Sequence, residues 1–228
     1  MIDIKNLKLL TKYTKQIISD YLEFDVDDIY NETDYAYIFG GAIRDSIVGD
    51  KINDVDILCL PHSMRIVEEI LINNSYTRED YTKNDIASLY TDIHIIFEPF
   101  TYFKGSKKVQ LIRPAPGNPE DYISTFLSIL SNVDLSCCGI YYDGRLLKES
   151  CLDSIHHIIN KDMILIPKAT MYNEKRVNNR IYKLEQKHWT LLKSGDDYNL
   201  DPDSDKIKTF FDSLYRDMNI DEIIEESD

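Results

Sequence analysis

No apolar run in this 228-residue sequence approaches the ~20 residues that a membrane-spanning helix needs. The opening stretch, MIDIKNLKLLTKYTK, alternates charged and apolar residues and lacks a signal-peptide core. Together these absences predict a cytoplasmic protein with no membrane partner. No internal repeat is visible. Cysteine is sparse, and Cys59, Cys137, Cys138 and Cys151 form no CxxC pair. Neither a zinc site nor a disulfide frame is indicated, so reduced, buried thiols are expected. His94, His156 and His157 lack the spacing of metal ligands. Positive charge is in deficit, with a formal net charge of -14, which argues against a general nucleic-acid binder. The deficit is uneven. Residues 195–228 hold 12 acidic and 3 basic residues, a net of -9, which leaves -5 for residues 1–194. Local basic faces therefore remain possible in the body of the chain.

What is present suits a globular protein, with 43% hydrophobic and 29% charged residues. The most informative stretch is Tyr35 to Leu60, YAYIFGGAIRDSIVGDKINDVDILCL. It reads as strand, glycine turn, short helix and strand. The apolar run Ala36 to Phe39 ends on Gly40 and Gly41, a helix of about two turns carries Arg44 and Asp45 and stops near Gly49, and a second strand from Asn53 holds Asp54 and Asp56. Side chains two apart on a strand share a face, so the two carboxylates point the same way. A glycine turn that opens a helix leaves backbone N–H groups free for a phosphate. Two carboxylates facing that turn suit Mg²⁺ or Mn²⁺ held against a triphosphate.

This combination resembles the signature of the DNA polymerase β superfamily of nucleotidyltransferases. GGAIRD followed by DVD is most similar to the tRNA nucleotidyltransferase (CCA-adding) and poly(A) polymerase branch. The close match covers about thirty residues. The resemblance implies an α+β (mixed α/β) fold, a polymerase β-type sheet with flanking helices followed by a small helical segment. It also implies transfer of a nucleoside monophosphate from an NTP to an acceptor hydroxyl, with pyrophosphate released. Asp54 and Asp56 would hold the metal, Gly40 and Gly41 would seat the triphosphate, and Arg44 would either touch it or pair with Asp45 or Asp54. The family usually brings a third carboxylate from a later strand. Asp134, opening NVDLSCCGIYY, is the candidate for catalysis and metal binding, and Asp92 competes. An RRDFT-like motif, used by CCA-adding enzymes, is absent downstream. An RNA or tRNA 3′ end is the first acceptor implied, and a protein or small molecule is the alternative. A non-catalytic, antitoxin-like partner and a nucleotide-sensing regulator are rivals. The departures suggest a divergent member of viral or phage kind, which would work in the host cytoplasm.

The remaining elements follow from periodicity and breakers. Residues 4–22 read as an amphipathic helix and Asp25 to Asp34 as a loop. Ser63 caps a helix that runs to Asn73. Ile86 to Phe97 reads as extended, Phe100 to Lys108 as a turn around Gly105, and Lys108 to Ile112 as a strand. Arg113 to Pro119 is a loop, a helix follows Pro119, and Asn132 to Tyr142 is a strand ending in an Asp143-Gly144 turn. Cys151 to Ile159 and Asn173 to Leu192 read as helices. On the latter, Arg176, Arg180, Lys183 and Lys187 form one basic stripe, a candidate wall for NTP phosphates or acceptor, with Lys168 nearby. A last amphipathic helix is expected at Asp205 to Met218, before an acidic tail. The division expected is a nucleotidyltransferase domain at 1–148, a helical segment closing the nucleotide cleft at 149–194, and an acidic linker, short helix and tail at 195–228.

Overall fold

The computed structural model describes residues 2–79, 97–114, 133–151, 153–166, 174–192 and 205–218. The first element, α1 (Ile4–Leu22), starts where the Asp3 carboxylate accepts a hydrogen bond from the Asn6 amide at 2.8 Å. It buries Leu9, Leu10, Ile18 and Leu22 along one side. It ends on Glu23 in the left-handed conformation. The expected loop that follows contains a short helix, α2 (Asp27–Glu32), with Ile29 buried. Six residues are too few to show a helical period, which hid this element from sequence reading.

β1 (Ala36–Phe39), α3 (Gly41–Ile47) and β2 (Val55–Cys59) form the strand–helix–strand unit, and β1 and β2 pair antiparallel. α4 (Pro61–Asn73) begins with proline in its first turn, where the missing N–H costs nothing. Ser63 is not its cap. The hydroxyl is buried and accepts a 2.7 Å hydrogen bond from Thr33. β3 (Thr77–Arg78), β4 (Phe97–Lys104) and β5 (Lys107–Pro114) follow. The turn expected over Phe100 to Lys108 shrinks to Gly105 and Ser106, because Lys104 pairs with Lys107 and Gly105 takes a φ of 58°. A glycine at positive φ lets two residues close the hairpin.

Beyond Val133 the expected single strand is broken. A 3₁₀ turn at Ser136–Cys138 precedes β6 (Ile140–Tyr142). The turn is pinned by the Ser136 hydroxyl, which accepts from the Ile164 amide at 2.9 Å, and by Gly139, which packs directly on Cys151 and Ser154. β7 (Leu147–Glu149) returns after the Asp143-Gly144 turn. The chain continues through α5 (Ser154–Asn160), β8 (Asp162–Ile164), α6 (Glu174–Glu185), β9 (Thr190–Leu192) and α7 (Asp205–Asp217). The helix expected to reach Leu192 therefore stops at Glu185. Trp189 turns into the core, the Lys187 and Trp189 amides bond back to the Leu184 carbonyl, and His188 takes a φ of 64°.

Among the described residues the main sheet has seven strands in the order β3-β4-β5-β2-β1-β6-β7, all antiparallel except β2 with β5. β8 and β9 form a separate parallel pair. This is the mixed α/β fold, with a mostly antiparallel sheet and flanking helices, expected from the sequence. Buried residues of α5, α6 and α7, among them Ile155, Leu184, Ile207 and Phe211, join the same core as the sheet. No described helix is long and apolar enough to cross a membrane. Asp92, His94, Lys168, the helix after Pro119, most of the extended segment from Ile86 and the acidic tail lie outside the described residues.

Candidate active site

β1 runs into Gly40, whose φ of 73° and ψ of -125° form a conformation that only glycine adopts readily. Its N–H donates to the Ile140 carbonyl at 2.9 Å, so β6 pins the turn. α3 then begins at Gly41. A Cβ on Gly41 would meet only the Arg44 guanidinium at 3.6 Å, an ordinary contact. The fold thus requires glycine at 40 and leaves it unexplained at 41.

The antiparallel register sets Asp56 directly opposite Phe39, the last residue before the turn. On its other side Asp56 is level with Gln110 of β5. Asp54 sits just before β2, and Lys108, just before the matching part of β5, reaches its Oδ2 at 3.2 Å. Tyr21 of α1 ties these two approaches together. Its hydroxyl donates to the Asn53 carbonyl at 3.0 Å and accepts from the Lys108 amide at 2.9 Å. Burial, and next the Asp54 carboxylate, push Asp56 up to about 7. Lys108, Arg180 and Arg176 act in the opposite direction and so also bear on this carboxylate. Two carboxylates two residues apart on one strand approach are hard oxygen donors of the kind that Mg²⁺ takes. That ion is held by one or two carboxylates together with substrate phosphates.

Asp134 lies before the 3₁₀ turn, and its carboxylate accepts from Arg180 Nη1. Among the described residues no group of three or more His, Cys, Asp or Glu side chains is gathered closely enough to hold a metal. Arg44 is buried rather than open. Its Nε and Nη2 donate to Asp45 Oδ1 at 2.8 and 2.6 Å, its Nη1 donates to Cys138 Sγ at 3.4 Å, and it lies 5.6 Å over the Trp189 ring. Of the partners expected for Arg44, Asp45 is the one it pairs with. Lys187, expected on the basic stripe, falls beyond the end of α6 and pairs with Asp45 at 3.1 Å and Asp50 at 3.8 Å. Arg176 and Lys183 are exposed on α6. Cys137 and Cys138 are buried thiols. A hydrogen bond from Cys137, with Arg44 and Arg180 nearby, holds Cys138 below the usual thiol range. His157 is buried, with Nδ1 2.5 Å from Asp162 Oδ1. Lys108, Tyr21, Trp189 and Cys138 escaped sequence reading. The docking of α1 and the strand register bring Tyr21 and Lys108 to Asn53 and Asp54, and the 3₁₀ turn and the end of α6 bring Cys138 and Trp189 to Arg44; no local spacing encodes these approaches.

A family model described as Gabija anti-defense 2 family protein matches residues 11–161. No curated protein matches the chain. Solved structures of similar fold include a CCA-adding enzyme in complex with CTP, at 15% identity and a TM-score of 0.56, covering 92% of this chain and 46% of the other. The apo form I of a CCA-adding enzyme gives 14% and 0.57, with 92% and 45% covered. The Thermotoga maritima CCA-adding enzyme complexed with tRNA gives 14% and 0.54, with 95% and 46% covered. The chain spans less than half the length of these structures, and at this identity the likeness is one of fold.

Proposed function

The chain belongs to the Gabija anti-defense 2 family, and we propose that it works there as a metal-dependent nucleotidyltransferase. It would move a nucleoside monophosphate from an NTP to an acceptor hydroxyl. The observation that carries this reading is the register that sets Asp56 opposite the residue entering the glycine turn, with Asp54 two positions before it. In this reading the Gly40-Gly41 turn receives the triphosphate, and the absence of a side chain at Gly41 leaves room for close approach of phosphate oxygens. Arg176, Arg180 and Lys183 present positive charge to the same anion. Asp54 and Asp56 would hold Mg²⁺ or Mn²⁺, which supplies charge neutralisation on the phosphates and favours the ionised acceptor hydroxyl. The acceptor oxygen forms a bond to the α-phosphorus, the bond to the bridging oxygen breaks, and pyrophosphate leaves. Tyr21 and Lys108 tie the segment that carries both carboxylates to β5.

An RNA or tRNA 3′ end is the first acceptor, from the likeness of the glycine-turn unit to the CCA-adding branch. A second reading has its own support. The family description is that of an anti-defense protein, and the net charge of -14 disfavours long RNA contacts. It makes a protein the acceptor, or makes the chain a binding partner without turnover. Supplying each α-³²P-labelled NTP and Mg²⁺ with tRNA, total RNA or cell protein separates these readings. Label on tRNA or RNA that disappears with Asp54→Asn and with Asp56→Asn supports the first. Label on protein moves the function to the second, and no transfer to any acceptor removes the enzymatic reading.

A further inference from the structure

Asp134 presents a carboxylate with 11% side-chain exposure, and its partner is a guanidinium on another element. Arg180 Nη1 donates to Asp134 Oδ1 from α6, and the main chain is fixed as well, because the Asp134 carbonyl accepts from the Ile166 amide at 2.9 Å. Arg180 has a difficult setting. It is near Arg44, whose like charge opposes it, and near Cys138 and Asp134, whose charges favour it. It also bears on Asp56, as does Arg176 one turn earlier on α6. Without Asp134, repulsion from Arg44 and the rotamer entropy of a long side chain would both draw the guanidinium into solvent. With Asp134, one edge of the guanidinium is occupied and the remaining N–H groups keep a defined direction. A carboxylate so engaged is poorly placed to serve a metal, and among the described residues no third acidic, histidine or cysteine side chain joins Asp54 and Asp56.

We propose that Asp134 is a positioning residue that holds Arg180 to receive the polyphosphate of the nucleotide beside Asp56, and that it is not a metal ligand. The inference rests on the nucleotidyltransferase reading and separates two consequences that a shared metal site would merge. Metal affinity belongs to Asp54 and Asp56, and polyphosphate affinity to the Asp134–Arg180 pair.

The test uses the full chain and two probes that need no knowledge of the base or acceptor. One is Mn²⁺, followed by the loss of its free paramagnetic resonance signal. The other is inorganic tripolyphosphate in the presence of Mn²⁺, followed by calorimetry. Asp134→Asn is expected to keep Mn²⁺ affinity within about twofold and to weaken tripolyphosphate about tenfold. Arg180→Gln should do the same, and the double variant should bind no worse than either single one, as expected for two residues that act as one unit. Asp134→Glu keeps the charge and should largely restore tripolyphosphate binding. It also serves if Asp134→Asn does not fold, since a lengthened metal ligand would lose Mn²⁺ and a lengthened anchor would not. Loss of Mn²⁺ in either Asp134 variant to the extent seen with Asp54→Asn overturns the proposal. So does unchanged tripolyphosphate binding in Asp134→Asn, or additive losses in the double variant. A wild-type chain that binds neither probe removes the nucleotidyltransferase reading together with this inference, whereas a wild type that binds both leaves any failure with Asp134 alone.

Discussion

At the scale of single residues the two glycines of the turn are not equivalent. Gly40 holds a φ of 73° and a ψ of -125°, so Gly40→Ala is expected to cost about 1–3 kcal/mol of backbone strain. Gly41 meets no such limit, and an added Cβ finds only the Arg44 guanidinium at 3.6 Å. Gly41→Ala should leave the urea midpoint unchanged or slightly raised, since alanine is the better helix former by about 0.5–1 kcal/mol. If the turn seats phosphate, the same variant should weaken tripolyphosphate about tenfold, because the methyl group intrudes where the anion approaches. Unaltered binding in Gly41→Ala would remove the turn from the site while leaving the fold intact.

At the scale of elements, the end of α6 is the decisive joint. Lys187 pairs with Asp45 and Asp50, Lys161 pairs with Asp50 at 3.0 Å, and Arg44 lies over Trp189. These contacts dock α6 and β9 on α3, the helix of the glycine turn, and so set where Arg176 and Arg180 stand. Trp189 is the sole tryptophan of the chain and is 3% exposed, and its Nε1 has no hydrogen-bond partner among the described residues. Two effects oppose each other in Trp189→Phe. Ring volume is lost, but an unpaired buried donor that costs about 1–3 kcal/mol is removed. Trp189→Phe should therefore stay within about 1 kcal/mol of wild type, whereas Trp189→Ala should lose about 3–5 kcal/mol. Urea unfolding followed by far-ultraviolet circular dichroism reads both. Equal losses in the two variants would mean that the indole N–H finds a partner.

For the whole molecule, the half-buried Asp56 carboxylate predicts a pH dependence of stability. Asp56 is raised from 3.8 to about 7 on folding, chiefly by burial. The folded state thus holds this proton more tightly than the unfolded chain does, and ionising Asp56 destabilises the fold. Its contribution to stability should fall as pH rises from about 4 to about 7, and then level off. Asp56→Asn should accordingly raise the melting temperature near about pH 8 in the absence of metal, an instance of stability yielded to a functional site. Mn²⁺ should stabilise the wild type more at about pH 8 than at about pH 6, because below 7 the ion competes with a proton. Equal Mn²⁺-induced shifts at the two pH values would show that Asp56 does not bind the ion.

Local chemistry alone determined the unit from Ala36 to Cys59. Its glycine pair, its helix stop near Gly49 and its alternating carboxylates are all short-range features, and strand, turn and helix form there as the sequence indicates. Amphipathic periods likewise gave α1 and α7 within a residue of their ends. Tertiary structure alone decided where α6 ends, because burying Trp189 outweighs the helical preference of the residues around it. It also broke the strand after Asp134, through the close fit of Gly139 on Cys151 and Ser154. Most of all it decided partners. Arg44 and Asp134 are visible in the sequence as charged residues, but a charge has no intrinsic direction. Which opposite charge lies within reach depends on helix docking and strand register across more than forty residues for Lys108 with Asp54 and for Arg180 with Asp134, whereas Arg44 takes its sequence neighbour Asp45.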